Sequence, residues 1–249
     1  MTEIELLVDF YKDIPRQGPG SPGETRKALQ LTGLQNNINL RVADIGCGTG
    51  AQTIILAEEL SCHITAIDLF PEFLFQLKEN VKLKGLQQQI TTDVQSMDNL
   101  PYDGGTFDLI WSEGAIYIMG FEEGILAWRP LLKEQGMLVI SEISWLTASR
   151  PKELADYWLR EYPQMDTLPN KEKILKKHGY KPIASFGLPE HCWIEQYYDP
   201  IRKYIPEFLD RHDHHEGAKK LVEELEQEIS MYEKYKDYYG YAFYIVKKL

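Results

Sequence analysis

The sequence predicts an α/β fold, in which a mostly parallel sheet is covered by helices on both faces. Short apolar segments alternate with helical segments from residue 41 onward, and this alternation is typical of parallel βαβ units. A glycine-rich loop joins the first strand to the next helix, and a last strand follows a long insert. Open sheets of this kind bind ligands at the edge where the strands end.

The first 40 residues are predicted to form a helical cap, called the cap below. Four apolar side chains recur at helical spacing: Ile4, Leu7, Val8 and Tyr11. They predict a first amphipathic helix, which the run Pro15–Gly20 should end. Ser21-Pro22-Gly23-Glu24 is a capping-box pattern with proline at the first helical position, so a second helix is expected to start there.

Residues 41–145 are predicted to form the core of the sheet. The five strands expected here are residues 41–45, 63–68, 89–93, 107–111 and 136–141. Helices are expected between them at residues 51–60, 71–84 and 121–132.

The pattern is less regular in residues 146–249. Helices at 152–161 and 171–178 lead to a sixth strand at 181–187, and a closing strand follows at 241–246. Between these strands lies an aromatic-rich helical segment, about residues 188–238, called the insert below. Long elaborations of this kind usually carry function. We expect the whole chain to form a single domain.

Composition narrows the classes of function. The chain has 249 residues, with 27 Lys and Arg against 38 Asp and Glu. The resulting net charge of −11 disfavours binding to nucleic acid. No segment is long and apolar enough for a membrane span, and the acidic N-terminus does not resemble a secretory signal. Three scattered cysteines predict reduced thiols in a cytoplasmic protein. His212, His214 and His215 are predicted to form an exposed polar loop, so no metal site is expected.

The most informative segment is Asp44-Ile45-Gly46-Cys47-Gly48-Thr49-Gly50. Residues 46–50, called the glycine loop below, lie between a strand and a helix. There the backbone can approach a ligand closely, and the helix offers free N–H groups. Gly46, Gly48 and Ala51 also fit a dinucleotide fingerprint. A carboxylate at Asp44, however, suits a cationic or zwitterionic ligand better than a pyrophosphate.

Two further carboxylates end the next strands. Asp68 ends the second strand, where it can accept hydrogen bonds from both ribose hydroxyls. Asp93 ends the third strand, where it can accept from an exocyclic adenine amine. Each aspartate alone could be a turn residue. Three of them on consecutive strand ends beside one glycine loop favour a nucleoside site.

These residues resemble the class I S-adenosylmethionine-dependent methyltransferases. The segment Asp44–Gly50 is similar to the first motif of that family, Ala66-Ile67-Asp68 to the second and Asp93-Val94 to the third. Leu100–Ser112 is similar to the fourth, and Leu131–Leu138 to the segment that enters the fifth strand. Within the family the chain is most similar to the ubiquinone/menaquinone-biosynthesis type. The resemblance implies a Rossmann-like, seven-stranded sheet whose last strand is antiparallel.

The resemblance also implies roles for individual residues. The glycines would pass under the methionine part of S-adenosylmethionine, with Asp44 near its amino group and Asp68 on its ribose. Leu69 and Val94 would enclose the adenine, with Asp93 on its amine, and the Ser112 carbonyl would face the methionyl amine. The cofactor-binding residues implied in full are Tyr11, Arg16, Gln17, Gly18, Asp44, Gly46, Cys47, Gly48, Thr49, Gly50, Gln52, Asp68, Leu69, Asp93, Val94 and Ser112. The product would be S-adenosylhomocysteine.

Glu113 is the candidate general base, since it directly follows the fourth strand. It could instead hydrogen-bond the cofactor or a nearby turn. The acceptor pocket is predicted to be built by Glu113, Tyr117, Trp145, His191, Trp193, Tyr197 and Tyr198, whose aromatic rings could wall an apolar or planar molecule. His191 could act as a base or be a surface residue. The acidic run Glu223–Glu228 is predicted to be the solvated face of a helix.

The predicted function is methyl transfer from S-adenosylmethionine to a small-molecule acceptor by in-line displacement. Ser112-Glu113-Gly114-Ala115 lacks the Asn/Asp-Pro-Pro-aromatic motif of base- and glutamine-methylating relatives. The alternatives are an NAD-linked oxidoreductase and a non-catalytic binder of S-adenosylmethionine or S-adenosylhomocysteine. The sequence leaves open the identity of the acceptor, the methylated element, and whether the protein is a monomer or a homodimer.

Overall fold

The computed structural model describes all 249 residues, and a seven-stranded sheet forms its centre. The strands are β1 Leu40–Ile45, β2 Cys62–Asp68, β3 Ile90–Val94, β4 Phe107–Glu113, β5 Leu132–Trp145, β6 Tyr180–Gly187 and β7 Tyr239–Lys248. Their order across the sheet is β3-β2-β1-β4-β5-β7-β6. β7 runs antiparallel to both of its neighbours, and the pairings among the first five strands are parallel. The predicted Rossmann-like fold is confirmed.

The antiparallel direction of β7 decides where the insert lies. Trp145 at the end of β5 pairs with Tyr239 at the start of β7, and Gly187 at the end of β6 pairs with Ala242. The insert therefore leaves and rejoins the sheet at the same edge, where the parallel strands end. That edge also carries the glycine loop.

Nine α-helices flank the sheet. They are α1 Glu3–Tyr11, α2 Pro22–Thr32, α3 Ala51–Glu59, α4 Pro71–Lys84, α5 Phe121–Trp128, α6 Lys152–Glu161, α7 Leu168–Lys177, α8 Asp199–Arg211 and α9 Glu216–Tyr235. Ser21 caps α2, with its hydroxyl accepting from the Glu24 N–H at 3.2 Å, as its sequence predicts. None of the helices combines the length and apolar character that a membrane span requires.

Two apolar clusters fill the two faces of the sheet. Val42 and Leu109 belong to the larger cluster, whereas their chain neighbours Ala43 and Ile110 belong to the smaller one. Burial on both faces is expected of strands covered by helices on both sides. The larger cluster also includes buried residues of α1, α8 and α9. The cap and the insert therefore share one face of the sheet.

Two local predictions are wrong in part. Ile4 is 63% exposed and Leu7 is 40% exposed, because α1 turns Phe10 instead onto Tyr204 and Phe208 of α8, at ring distances of 5.4 and 4.9 Å. The helix predicted to end at residue 132 ends at Trp128. Pro130, which has no N–H to donate, lies in the short turn that follows, and β5 begins at residue 132.

Candidate active site

One cavity of about 610 Å³ lies at the carboxyl edge of the sheet, between the glycine loop and the insert. Gly46, Gly48 and Asp68 line one end of it. The aromatic side chains that line the rest are Tyr11, Tyr117, Tyr157, Trp158, Tyr162, Trp193, Tyr197, Tyr198, Tyr239 and Tyr241. The volume is within the range of about 300–1,000 Å³ that small-molecule sites occupy.

The glycine loop is built so that only glycine fits its key positions. Gly46, Gly48 and Gly50 have φ values of +70°, +54° and +88°, which side chains rarely adopt. A Cβ at Gly46 would lie 2.4 Å from the Ala115 Cβ, and one at Gly48 would lie 2.2 Å from the Gln17 Oε1. The loop therefore presents bare backbone to the cavity, as a site for a closely held ligand requires.

Asp68 connects the end of β2 to the glycine loop. Its carboxylate accepts hydrogen bonds from the Gly48 N–H at 2.9 Å and from the Phe70 N–H at 3.0 Å. Burial raises the pKa of this carboxyl, and the backbone donors oppose the effect. Asp68 lines the cavity together with Leu69, and their roles at ribose and adenine stay predictions.

Asp44 lies beneath the loop and does not line the cavity. It accepts from the Thr53 hydroxyl at 2.5 Å and from the Gln52 amide at 3.3 Å. Burial raises the pKa of Asp44 to about 7, against the lowering effect of these two hydrogen bonds, and the charges of Glu113 and Asp68 add to the rise. Of these partners, Gln52 reaches the cavity wall.

Several other predicted cofactor residues lie near the cavity but not on its wall. These are Thr49, Gly50, Asp93, Val94 and Ser112. The Asp93 carboxylate accepts the Tyr102 hydroxyl at 2.6 Å. Val94 pairs with Asp68 across the sheet and is half exposed. Three residues just after β3 line the cavity instead: Gln95, Ser96 and Met97.

The cap closes over the glycine loop through Gln17. The Gln17 Oε1 accepts from the Thr49 N–H at 2.9 Å, while its Nε2 donates to the carbonyls of Tyr11 and Ile14, both at 3.0 Å. The Tyr11 hydroxyl lies 2.8 Å from that of Tyr197 in the insert. The four predicted cap residues, Tyr11, Arg16, Gln17 and Gly18, all line the cavity.

Glu113 is held by three donors. Its carboxylate accepts from Arg16 Nη2 at 2.6 Å, from the Thr25 hydroxyl at 2.8 Å and from the Trp111 Nε1 at 2.9 Å. The side chain is 4% exposed. These three hydrogen bonds and the ion pair with Arg16 fix the position of the Glu113 carboxylate. Arg16 keeps one buried donor, Nε, without a partner.

The predicted acceptor residues divide into two groups. Tyr117, Trp193, Tyr197 and Tyr198 line the cavity. Trp145 and His191 do not: the Trp145 Nε1 donates to the Met165 carbonyl at 3.2 Å, and the His191 Nε2 lies 3.7 Å from the Cys192 Sγ. Sequence reasoning missed seven aromatic residues that line the cavity. Five come from α6, the turn after it, and β7: Tyr157, Trp158, Tyr162, Tyr239 and Tyr241. The other two, Phe70 and Phe73, follow β2.

Two polar residues also depart from the sequence predictions. Glu228, in the acidic run assigned to a solvated face, lines the cavity instead and accepts from the Tyr198 hydroxyl at 3.0 Å. Its position three residues after buried Leu225 places it on the inner face of α9. His212 was expected in an exposed loop. It packs against Phe208, and its Nε2 lies 2.7 Å from Asp9 of the cap.

The fold and the glycine loop define the class of α/β proteins with a cavity at the carboxyl edge of a mostly parallel sheet. Comparison with known proteins narrows this class. Residues 42–136, from β1 into β5, match the family described as Methyltransferase domain. The predicted resemblance to class I S-adenosylmethionine-dependent methyltransferases is confirmed.

Individual relatives are distant. The ubiquinone/menaquinone biosynthesis C-methyltransferase UbiE of Citrifermentans bemidjiense is 31% identical over 144 residues, 56% of this chain and 60% of that protein. This chain spans between 20% and 42% of the length of the first curated relatives that it matches.

Two solved structures share the fold. One is a SAM-dependent methyltransferase from Geobacter sulfurreducens in complex with S-adenosylhomocysteine, which is 18% identical, with a TM-score of 0.85 and 98% of each chain covered. The other is the [4+2]-cyclase SpnF, which is also 18% identical, with a TM-score of 0.73 and 93% of this chain and 83% of that chain covered. At this identity the likeness concerns the fold.

Proposed function

We propose that this protein is an S-adenosylmethionine-dependent methyltransferase that acts on a small molecule. The observation that carries the proposal is the single cavity, with the glycine loop and Asp68 at one end and aromatic walls at the other. Such a cavity can hold a nucleoside and an acceptor side by side, which is the arrangement that direct group transfer needs.

The residues present fit the cofactor. Gly46 and Gly48 line the cavity without a side chain, so a ligand can lie against their backbone. Asp68 faces the cavity as a hydrogen-bond acceptor for hydroxyls, and the unpartnered Arg16 Nε is a donor available to a carboxylate. Asp44 and Gln52 together would favour a cationic amino group near the loop.

When bound, S-adenosylmethionine supplies an electrophilic methyl group on its sulfonium. The part of this chain is to align and to exclude water. Gln17 holds the cap against the glycine loop, and Tyr11 and Tyr197 join the cap to the insert. The aromatic walls would hold the acceptor beside the cofactor when both are bound. Because Glu113 is occupied by three donors, its geometry favours a role in anchoring the cap over that of a general base.

The proposal extends to the setting of the reaction. The net charge of −11 supports a small molecule rather than nucleic acid as acceptor. Three unpaired cysteine thiols support action in the cytoplasm.

Parallel calorimetric titrations with S-adenosylmethionine, S-adenosylhomocysteine and NAD test the proposal. We expect affinities on the order of micromolar for the first two and no binding of NAD. Binding of NAD alone would favour an oxidoreductase, with Asp68 on the ribose. If the nucleosides bind, formation of S-adenosylhomocysteine in the presence of candidate acceptors distinguishes an enzyme from a non-catalytic binder.

A further inference from the structure

The charges on the cavity wall are unbalanced. Five carboxylates line the cavity, namely Asp68, Glu113, Glu161, Glu224 and Glu228. Arg16 is the only cationic side chain on the wall, and it is already paired with Glu113 at 2.6 Å. The part of the cavity beneath the insert therefore presents carboxylates without any cation.

Glu228 is the carboxylate placed among the aromatic walls. Its Oε1 accepts one hydrogen bond, from the Tyr198 hydroxyl at 3.0 Å, and its Oε2 has no donor. Burial raises the pKa of Glu228, and the Tyr198 hydrogen bond opposes this only in part. A cation beside Oε2 would stabilise the ionised carboxylate and supply the missing partner.

Tyr198, the donor to Glu228, belongs to a group of packed aromatic rings that forms part of the cavity wall. Trp193 stacks on Tyr232 at 4.2 Å and contacts Tyr198 and Tyr239 at 5.9 and 6.3 Å. Burial, and after it the charge of Glu228, raises the pKa of Tyr157 to about 12. Tyr157 and Glu228 both line the cavity. Aromatic faces and a carboxylate together attract ammonium groups, including fully methylated ones.

We infer that the methyl acceptor of this protein carries a cationic amine, ammonium or quaternary ammonium, and that Glu228 and the aromatic wall bind this group. The inference rests on the proposed function, because it names the acceptor class for the same cavity. A neutral acceptor would leave the half-buried carboxylate of Glu228 without a cationic partner. An anionic acceptor would meet the like charge of the carboxylates on the cavity wall.

A matched pair of probes tests the inference. Phenethylamine is a cation at neutral pH, whereas phenethyl alcohol has a similar size and shape without the charge. Calorimetric titration of the whole protein, with and without saturating S-adenosylhomocysteine, should show the amine binding roughly tenfold more tightly than the alcohol. This comparison uses the wild-type chain and does not depend on any variant folding.

Two variants then test whether Glu228 causes the preference for the amine over the alcohol. Glu228→Gln should abolish the difference between amine and alcohol, whereas Glu226→Gln, two residues away on the exposed face of α9, should retain it. Equal affinities in the wild type, no binding of the amine, or a preference that survives Glu228→Gln would each overturn the inference. Failure of S-adenosylhomocysteine to bind would instead overturn the proposed function. The titrations without S-adenosylhomocysteine would then decide whether the cavity prefers the amine.

Discussion

At the scale of single residues, Gly48 joins two parts of the site. A Cβ there would lie 2.2 Å from the Gln17 Oε1, at a φ of +54°. We expect Gly48→Ala to displace Gln17 and to reduce affinity for S-adenosylhomocysteine by roughly tenfold. Calorimetry measures this loss.

Gly85→Ala is the matched control for strain alone. Gly85 has a φ of +71° and no atom within 4 Å of its would-be Cβ. The substitution should lower the free energy of unfolding by about 1 kcal/mol, the cost of a side chain in this backbone region, and leave nucleoside affinity unchanged. Equal losses of affinity in the two variants would show that the Gln17 contact is not the cause.

The raised pKa of Asp44 predicts that the stability of the protein depends on pH. Burial raises its pKa to about 7, well above the pKa of ~4 that an aspartate has in an unfolded chain. Between these values the folded protein binds more protons than the unfolded chain. The stability due to this group is therefore complete at low pH and is lost as pH rises towards about 7.

The variant Asp44→Asn lacks this titration. Its free energy of unfolding relative to that of the wild type should increase from about pH 4 to about pH 7, when measured by urea denaturation without ligand. A difference between variant and wild type that does not change with pH would contradict the assignment.

At the scale of elements, the end of β4 anchors the cap. Two of the three donors to Glu113, Arg16 and Thr25, belong to the cap. Glu113→Gln leaves the Arg16 guanidinium buried without a counter-ion, so we expect a loss of about 3–5 kcal/mol in the free energy of unfolding. Affinity for S-adenosylhomocysteine should fall with it.

Measurements of stability and of nucleoside affinity distinguish a Glu113 that anchors the cap from a Glu113 that acts as a general base. Loss of turnover with stability and nucleoside affinity intact would show that Glu113 acts in catalysis instead. Glu79→Gln, an exposed carboxylate on α4, is the control and should change stability by no more than about 0.5 kcal/mol.

The elements also show what the sequence can predict. The strands and the glycine loop follow from local pattern: α6 matches its predicted bounds, and β2 differs by one residue. The aromatic wall of the cavity cannot be predicted from local pattern, because α6, α9 and β7 meet there from distant parts of the chain. Glu228 is the instructive case. An acidic run suggests solvent, yet its spacing from Leu225, Ile229 and Tyr232 places it on the buried stripe of α9.

At the scale of the whole molecule, the cap and the insert together cover the end of the cavity at the glycine loop. Asp9 of α1 meets Arg211 and His212 at the end of α8, both at 2.7 Å, and Glu3 meets Lys220 of α9 at 2.6 Å. The Glu3–Lys220 pair is exposed, and exposed ion pairs contribute only about 0–1 kcal/mol each. The cap can therefore open at its rim while its buried contacts with the glycine loop persist.

Hydrogen exchange should detect this closure. We expect amides of residues 3–20 to exchange more slowly when S-adenosylhomocysteine is bound, because a ligand on the loop opposes opening of the cap. Amides of β5 and β7, in the middle of the sheet, serve as the internal control and should not change. Unchanged exchange in residues 3–20 would show that the cap does not respond to the nucleoside.

The antiparallel direction of β7 affects how a protein with this fold could come to bind different acceptors. Because the insert leaves after Gly187 and returns at Tyr239 on one edge, its length and sequence can change without re-threading any strand. Exchange of the segment 188–238 is then a two-junction replacement, in which the contacts of the insert with the cap, such as Tyr197 with Tyr11, must be kept. If the proposed function holds, the topology makes recognition of the acceptor a replaceable module, while the sheet core with the glycine loop stays constant.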